Sequence, residues 1–375
     1  MPKGPRVVVG MSGGVDSSVA AALLVEQGYD VIGVAMRLWA GEDGASASGC
    51  CTLDDFLDAR GVASQLGIPF YVMDFQRQFA AAVVDPFVAE YVAGRTPNPC
   101  VRCNQFVKFG AFWERARELG ATWVATGHYA RVTHGAEGDR SQLWRANDAA
   151  KDQSYFLFAL TPDVLSRTIF PVGDLTKSEV RRRAEALGLS VAAKPESQEV
   201  CFAPRREYVS FVAQRAPAIR GGAIVDETGA VVGQHEGIHR FTVGQRRALG
   251  LNAGRPLYVT RIDPADRVVH VGPREATAAI GLSATQAVWI SGTPPLPGAM
   301  LSVKIRSRFE PTVVQVESAT DHAFTVSAPR GLVAITPGQA AVLYDGERVV
   351  GGGWIERAVV RSTHVEETRH VHVGL

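Results

Sequence analysis

Gly10-Met11-Ser12-Gly13-Gly14-Val15-Asp16-Ser17-Ser18 is the stretch that decides the fold. It follows three valines at 7–9 and opens into an alanine- and leucine-rich segment, 17–27, that Gly28 stops. A strand, a glycine turn and a helix in that order make a seat for an anion. The glycines allow close backbone approach, the serines supply hydroxyl donors, and the first N–H groups of the helix have no partner within it. No lysine stands where a Walker A loop carries one, so this is a phosphate loop of another kind.

Beyond this stretch, strand-like and helix-like segments alternate to about position 200. Residues 31–36, 70–74 and 122–126 read as strands, and 53–66 and 106–119 as helices stopped by Gly67 and Gly120. Such alternation predicts an α/β fold with a parallel sheet and crossover helices. Ligands of these sheets lie beyond the C-terminal strand ends. That rule draws in Met36 and the run Thr126-Gly127-His128-Tyr129, although a methionine there reads more readily as core and His128 equally as a packed partner.

After Phe202 the texture changes to short β-like runs between turns, such as Asp226-Glu227-Thr228-Gly229. The expected organisation is a parallel-sheet domain over 1–204, a small β-rich central domain over 205–280, a C-terminal β-barrel over 281–362 and a polar tail over 363–375. Lys304, Arg306 and Arg308 alternate along one expected strand and would share a face ending at Phe309. Arg181-Arg182-Arg183, Arg205-Arg206 and Gln245-Arg246-Arg247 are further basic patches.

The 375 residues are 46% hydrophobic and 21% charged, which excludes wholesale disorder, and 39 basic against 38 acidic residues exclude a polycation. Nucleic-acid binding would have to rest on local patches. The basic start MPKGPR is followed by no long apolar region, and nowhere do about 18 apolar residues run together, so a cytoplasmic protein with no membrane span is expected.

Five cysteines, an odd number, suit thiol chemistry better than a disulfide framework. Cys100 and Cys103 lie in Thr96-Pro97-Asn98-Pro99-Cys100-Val101-Arg102-Cys103-Asn104, where the prolines predict a rigid loop. Cys201 lies in Ser197-Gln198-Glu199-Val200-Cys201-Phe202, and Cys50-Cys51 are adjacent. Four readings stand on residue type alone: a structural zinc, a redox pair, an iron–sulfur cluster on Cys100, Cys103 and Cys201, and sulfur transfer by Cys103 and Cys201.

The opening stretch resembles the SGGxDS motif of the PP-loop ATP pyrophosphatases, whose domains are adenine nucleotide alpha hydrolase-like. Nearly the whole chain resembles the tRNA-specific 2-thiouridylases: GMSGGVDSS, GRTPNPCVRCN, TGHYARV, KDQSYF, FPVGDLTKSEVR, SQEVCF, FTVGQRRALGL and TPGQ fall in that family's order. The resemblance implies ATP-dependent 2-thiolation of the wobble uridine of tRNA, with ATP on Gly10, Met11, Ser12, Gly13, Gly14, Val15, Asp16, Ser17, Met36 and Gly127 and magnesium near Asp16. It implies Cys103 as nucleophile and Cys201 as persulfide carrier, closing to a disulfide after transfer. Asn98, Pro99 and Cys100 would meet the target base, and His128, Lys151, Asp152, Gln153, Arg308, Phe309 and Gln339 would touch tRNA. Several family members carry aspartate where Cys100 stands here. Implied partners are tRNAs for Lys, Glu and Gln, with a cysteine desulfurase or a sulfur-relay protein as donor. The alternatives are thiolation of the same base through an iron–sulfur cluster and another PP-loop adenylating ligase.

Overall fold

Val7, Val8 and Val9 are wholly buried, because the strand Arg6–Gly10 is the middle of a five-stranded parallel sheet and is covered on both faces. The computed structural model describes residues 4–39, 52–135, 140–195, 200–203, 208–216, 218–251 and 254–360. Cys50, Cys51, Arg205, Arg206 and the tail 363–375 lie outside the described residues. The sheet order is Phe70–Asp74, Asp30–Arg37, Arg6–Gly10, Trp123–Thr126 and Thr168–Ile169. Register pairs Gly10 with Val34 on one side and Thr126 on the other. The order therefore reverses at Arg6–Gly10, and the crevice beyond Gly10 is the switch point where such sheets bind ligands.

The helix Val15–Glu26 packs its alanines and leucines on this sheet. Leu53–Gln65 starts at a capping box in which the Thr52 hydroxyl accepts from Asp55 N and the Asp55 carboxylate accepts from Thr52 N. The helix expected over 106–119 is longer and of two kinds. It begins as an α-turn, Pro99–Arg102, widens to a π-helix over Cys103–Ala111, and closes as α-helix Phe112–Glu118. The rigid loop expected around the cysteines is thus corrected: Pro99 opens a helix, where its missing N–H costs nothing, and Asn98 caps it.

The central domain is a four-stranded sheet of Tyr258–Asp263, Val268–Gly272, Gly222–Val225 and Val231–His235 around Ile224, Val259 and Val269. Six strands close the C-terminal barrel, because Ala278–Trp289 pairs with both Ala323–Val333 and Arg348–Val359. The first of these strands starts just ahead of the boundary expected at 280. A hairpin of the first domain, Ala130–Thr133 with Gln142–Arg145, adds to the barrel sheet beside Arg348. The barrel is thereby joined to the first domain by strand pairing and not by a linker alone.

Candidate functional site

The helix Val15–Glu26 has Gly14 as N-cap with no side-chain cap, so its leading N–H groups stay directed at the crevice beyond Gly10. Ser17 and Ser18 hydroxyls donate to Gly14 O at 3.1 and 2.9 Å, and Ser12 N donates to the Ser17 hydroxyl at 3.2 Å, which fixes the turn. A cleft of about 350 Å³ opens here, lined by Gly10, Met11, Ser12, Gly14, Val15, Asp16, Ser17, Met36 and Gly127. Of the ten residues expected to hold ATP only Gly13 is absent from its wall, and a Cβ on Gly13 would lie 2.2 Å from Asp55 O. Gly127 crosses the helix start so closely that a Cβ would fall 2.5 Å from Ser17 N.

Lys108, Lys151 and Lys194 also line the cleft. A fourth lysine, Lys177, holds Asp16: its Nζ donates to both carboxylate oxygens at 2.6 and 2.8 Å, and the Tyr129 hydroxyl donates to Oδ1 at 2.7 Å. Lys177 is the first residue of a helix whose start is set by the Thr176–Glu179 capping box. From the same helix Arg181 donates to Ala192 O at 2.8 Å and so holds the chain leading to Lys194. Lys194 in turn reaches Asp55 and Asp58 at 2.7 and 2.6 Å. Burial alone would raise the Asp55 carboxyl, but the Lys194 ammonium and the Thr52 hydroxyl outweigh it and hold it below the usual range.

Such a cationic, backbone-lined cleft fits a triphosphate. For magnesium the fit is narrower. Among the described residues no group of three or more His, Cys, Asp or Glu side chains comes together, so a protein-only cage is not formed. Magnesium held by one carboxylate, phosphates and water needs no such cage, and Asp16 fits that role once Lys177 yields an oxygen.

His128 lines the cleft but is 9% exposed, with its Nδ1 hydrogen-bonded to the Thr126 hydroxyl at 2.7 Å and its ring beside Phe109 and Phe170. Burial first, and the Lys108 ammonium second, push its pKa well below the usual 6.5. A histidine with a depressed folded-state pKa stays neutral above that value, so its proton uptake belongs to acid pH. The His128 ring-proton NMR signals are therefore expected not to titrate between about pH 6 and 8; a midpoint near 6.5 would contradict the burial.

Cys100 is exposed in the first turn of the helical run 99–118, Cys103 is buried, and Cys201 is half-buried. A helix N-terminus is where a thiolate is best stabilised. Phe202 locks the segment of Cys201 into an aromatic cluster, with ring centroids 5.5 Å from Phe79 and 5.1 Å from Phe87. Cys100, Cys103 and Cys201 do not converge as a ligand triple. They do not fit an iron–sulfur cluster in this arrangement.

The residues expected to touch tRNA fall into different surroundings. Lys151 and Gln153 line the cleft, and the Gln153 carboxamide oxygen accepts from Tyr129 N at 2.8 Å. Asn98 and Pro99 are buried. Asp152 turns inward: its side chain is 1% exposed, accepts from Ser154 N and Ala146 N, and pairs with Arg145 at 3.2 Å. Arg308 is exposed, while Phe309 packs against the barrel core. Gln339 donates to Thr96 O and Pro97 O. The face expected to unite Lys304, Arg306 and Arg308 is corrected, because the strand Met300–Lys304 stops at Lys304, which is 5% exposed. The buried Asp152 carboxylate demands a counter-charge, and Lys304 Nζ lies 3.9 Å from it. Sequence reasoning assigned no role to Lys108, Tyr129, Lys177 or Lys194. Tyr129 and Lys177 do sit inside quoted motifs, TGHYARV and FPVGDLTKSEVR, which were the available signal.

Three family profiles match the chain: a tRNA methyl transferase HUP domain over residues 5–205, a tRNA methyl transferase PRC-barrel domain over 209–273 and an aminomethyltransferase beta-barrel domain over 280–355. A curated relative named tRNA-specific 2-thiouridylase MnmA, from Geotalea uraniireducens (strain Rf4), is 50% identical over 369 residues, 97% of this chain and 98% of that protein. The protein of the same name from Geobacter metallireducens is 50% identical over 362 residues, 94% of this chain and 97% of its own. Among solved structures, a 4-thiouridine synthetase–RNA complex with bound ATP aligns at 18% identity with a TM-score of 0.33, covering 58% of this chain and 52% of that one. The NMN synthetase of Francisella tularensis aligns at 19% identity, also with a TM-score of 0.33, over 52% of this chain and 67% of its own. At these values the structural likenesses carry no argument about activity.

Proposed function

We propose a reaction course for a chain that belongs to the tRNA-specific 2-thiouridylase family: ATP activates O2 of the wobble uridine of tRNA, and a cysteine persulfide replaces that oxygen with sulfur. ATP-dependent thiolation of a tRNA uridine is the family's activity; the course and the residue roles are our reading. One observation carries it. A single cleft is walled by the phosphate loop, by Lys108 of the π-helix that starts at Cys103, and by Lys194 and Pro195, the latter six positions before Cys201 in the sequence. In this reading the two cysteine-bearing segments, each continuous in sequence with one of these walls, deliver sulfur to a base held in the cleft.

Uridine O2 is a poor leaving group, so it attacks the α-phosphorus of ATP, and pyrophosphate departs along the phosphate loop. The lysines of the cleft and the N–H groups at Gly14 to Asp16 hold the phosphate charge that develops. Magnesium, held by Asp16 and the phosphates, would neutralise the departing pyrophosphate. The terminal sulfur of a Cys201 persulfide then adds to C2, and AMP leaves with the former O2. Cys103 thiolate attacks the Cys201 sulfur; the S–S bond to the transferred sulfur breaks, 2-thiouridine is released and a Cys103–Cys201 disulfide forms. An external dithiol reopens it. The sulfur that is lost from the protein each cycle returns from a desulfurase or relay protein.

The wobble base must leave its stack to reach a sulfur carried on a protein side chain, so it enters flipped. A ligase acting on a small acceptor would use the phosphate loop but leave both cysteine segments idle. The separating experiment is pyrophosphate release with unmodified tRNA carrying a wobble uridine. Release that requires this tRNA, with 2-thiouridine recovered from it, is expected; release driven by a small carboxylic acid without tRNA would install the ligase reading.

A further inference from the structure

The chain at 95–99 enters the helix of Cys100 and Cys103 through Pro97 and Pro99, neither of which has an N–H to donate. Its carbonyls must find donors elsewhere, and they find them on the barrel. Gln339 Nε2 donates to Thr96 O at 2.9 Å and to Pro97 O at 3.0 Å. Thr96 N donates to Pro337 O at 2.9 Å, and Arg95 Nη2 donates to Ile355 O at 3.2 Å. The central domain adds a hydroxyl pair, Thr96 with Thr242, at 3.0 Å. Gln339 is itself fixed, its N–H on Thr336 O and its carbonyl accepting from Ile355 N. Beside it Gly338 has φ +89°, and a Cβ there would lie 2.9 Å from Thr96 O. The next residue along the gripped chain, Asn98, caps the helix through Val101 N.

We propose that Gln339 is a positioning residue: through its carboxamide the C-terminal barrel sets the turn from which the helix of Cys100 and Cys103 starts, and so fixes where these two thiols stand. The proposal rests on Cys103 being the nucleophile. It gives Gln339 a task inside the protein, different from the tRNA contact that family resemblance implies. An NH₂ group is what the site selects, because two carbonyls converge on it. The isosteric carboxylate of Gln339→Glu would face both with no donor, so it should act more severely than the neutral Gln339→Met.

The test measures amide hydrogen exchange over 95–103, single-turnover 2-thiouridine formation and tRNA affinity on the full chain with Gln339→Met. Losing the two bonds is expected to quicken exchange about tenfold in the free protein. It should slow thiolation about tenfold or more, with tRNA and ATP Kd held within about twofold. Gly338→Ala, which leaves Gln339 in place but pushes on Thr96, should reproduce the pattern, and it serves if Gln339→Met does not fold. Unchanged exchange with a weakened tRNA Kd would overturn the proposal and make Gln339 a direct RNA contact. Quickened exchange in a protein whose wild type makes no 2-thiouridine would overturn the functional reading while leaving the clamp standing.

Discussion

Serine in place of Cys103 or of Cys201 is expected to abolish 2-thiouridine formation, a loss of about a thousandfold or more, while pyrophosphate release in a single turnover and tRNA Kd stay within about twofold. The asymmetry follows from where the residues sit. Neither cysteine is among the residues lining the phosphate cleft, and Cys103 is 7% exposed at the start of the π-helix, so activation of the base does not need either thiol. On the proposed course transfer needs both, one to carry the sulfane sulfur and one to break its bond to the protein. A hydroxyl cannot hold a persulfide, nor attack one at neutral pH. Quench-flow release of pyrophosphate beside mass analysis of the tRNA nucleosides separates the two stages. Loss of tRNA binding, or of the folded state, in both variants would make the cysteines structural and remove this account of them.

Gly127→Ala carries the second large effect. The added methyl would meet backbone, at 2.5 Å from Ser17 N and 2.7 Å from the Asp16 carbonyl carbon, and backbone cannot rotate aside. Either the start of the helix Val15–Glu26 retreats or Thr126-Gly127-His128 does, and both walls of the cleft proposed for ATP are lost together. ATP affinity is expected to fall about a hundredfold, with a stability loss of about 2–3 kcal/mol. Calorimetric titration with ATP and the shift in Tm measure the two. Wild-type affinity would mean that nucleotide does not rest on this crossing.

Much of this site was legible because its parts are local. Gly10 to Ser18 is a strand, turn and helix within one short stretch, and its chemistry follows from residue type and order. Met36 and Gly127 followed from one rule about strand ends. What escaped was set by partners far away in sequence. Lys177 meets Asp16 across 161 positions and Gln339 meets Thr96 across 243, and neither pair leaves a periodic trace. The alternation of Lys304, Arg306 and Arg308 was real but misleading, since a buried Asp152 draws Lys304 inward and the strand ends there. Prolines at 97 and 99 predicted a loop because Pro99 at the first helical position and Pro99 within a loop look alike until the cap at Asn98 is seen. The π-helix has no sequence signature of its own and passed as α-helix.

On the proposed course sulfur moves directly from Cys201 to the activated uridine with Cys103 as the attacking thiol. The most direct test of this course is one anaerobic turnover of protein stripped of iron and zinc, loaded with labelled persulfide sulfur on Cys201 and mixed with ATP, magnesium and unmodified tRNA. Labelled 2-thiouridine, AMP and pyrophosphate in equal amounts, with a Cys103–Cys201 disulfide left in the protein, is the predicted result. No thiolation from the metal-free protein, and activity that rises in proportion to restored iron, would contradict it.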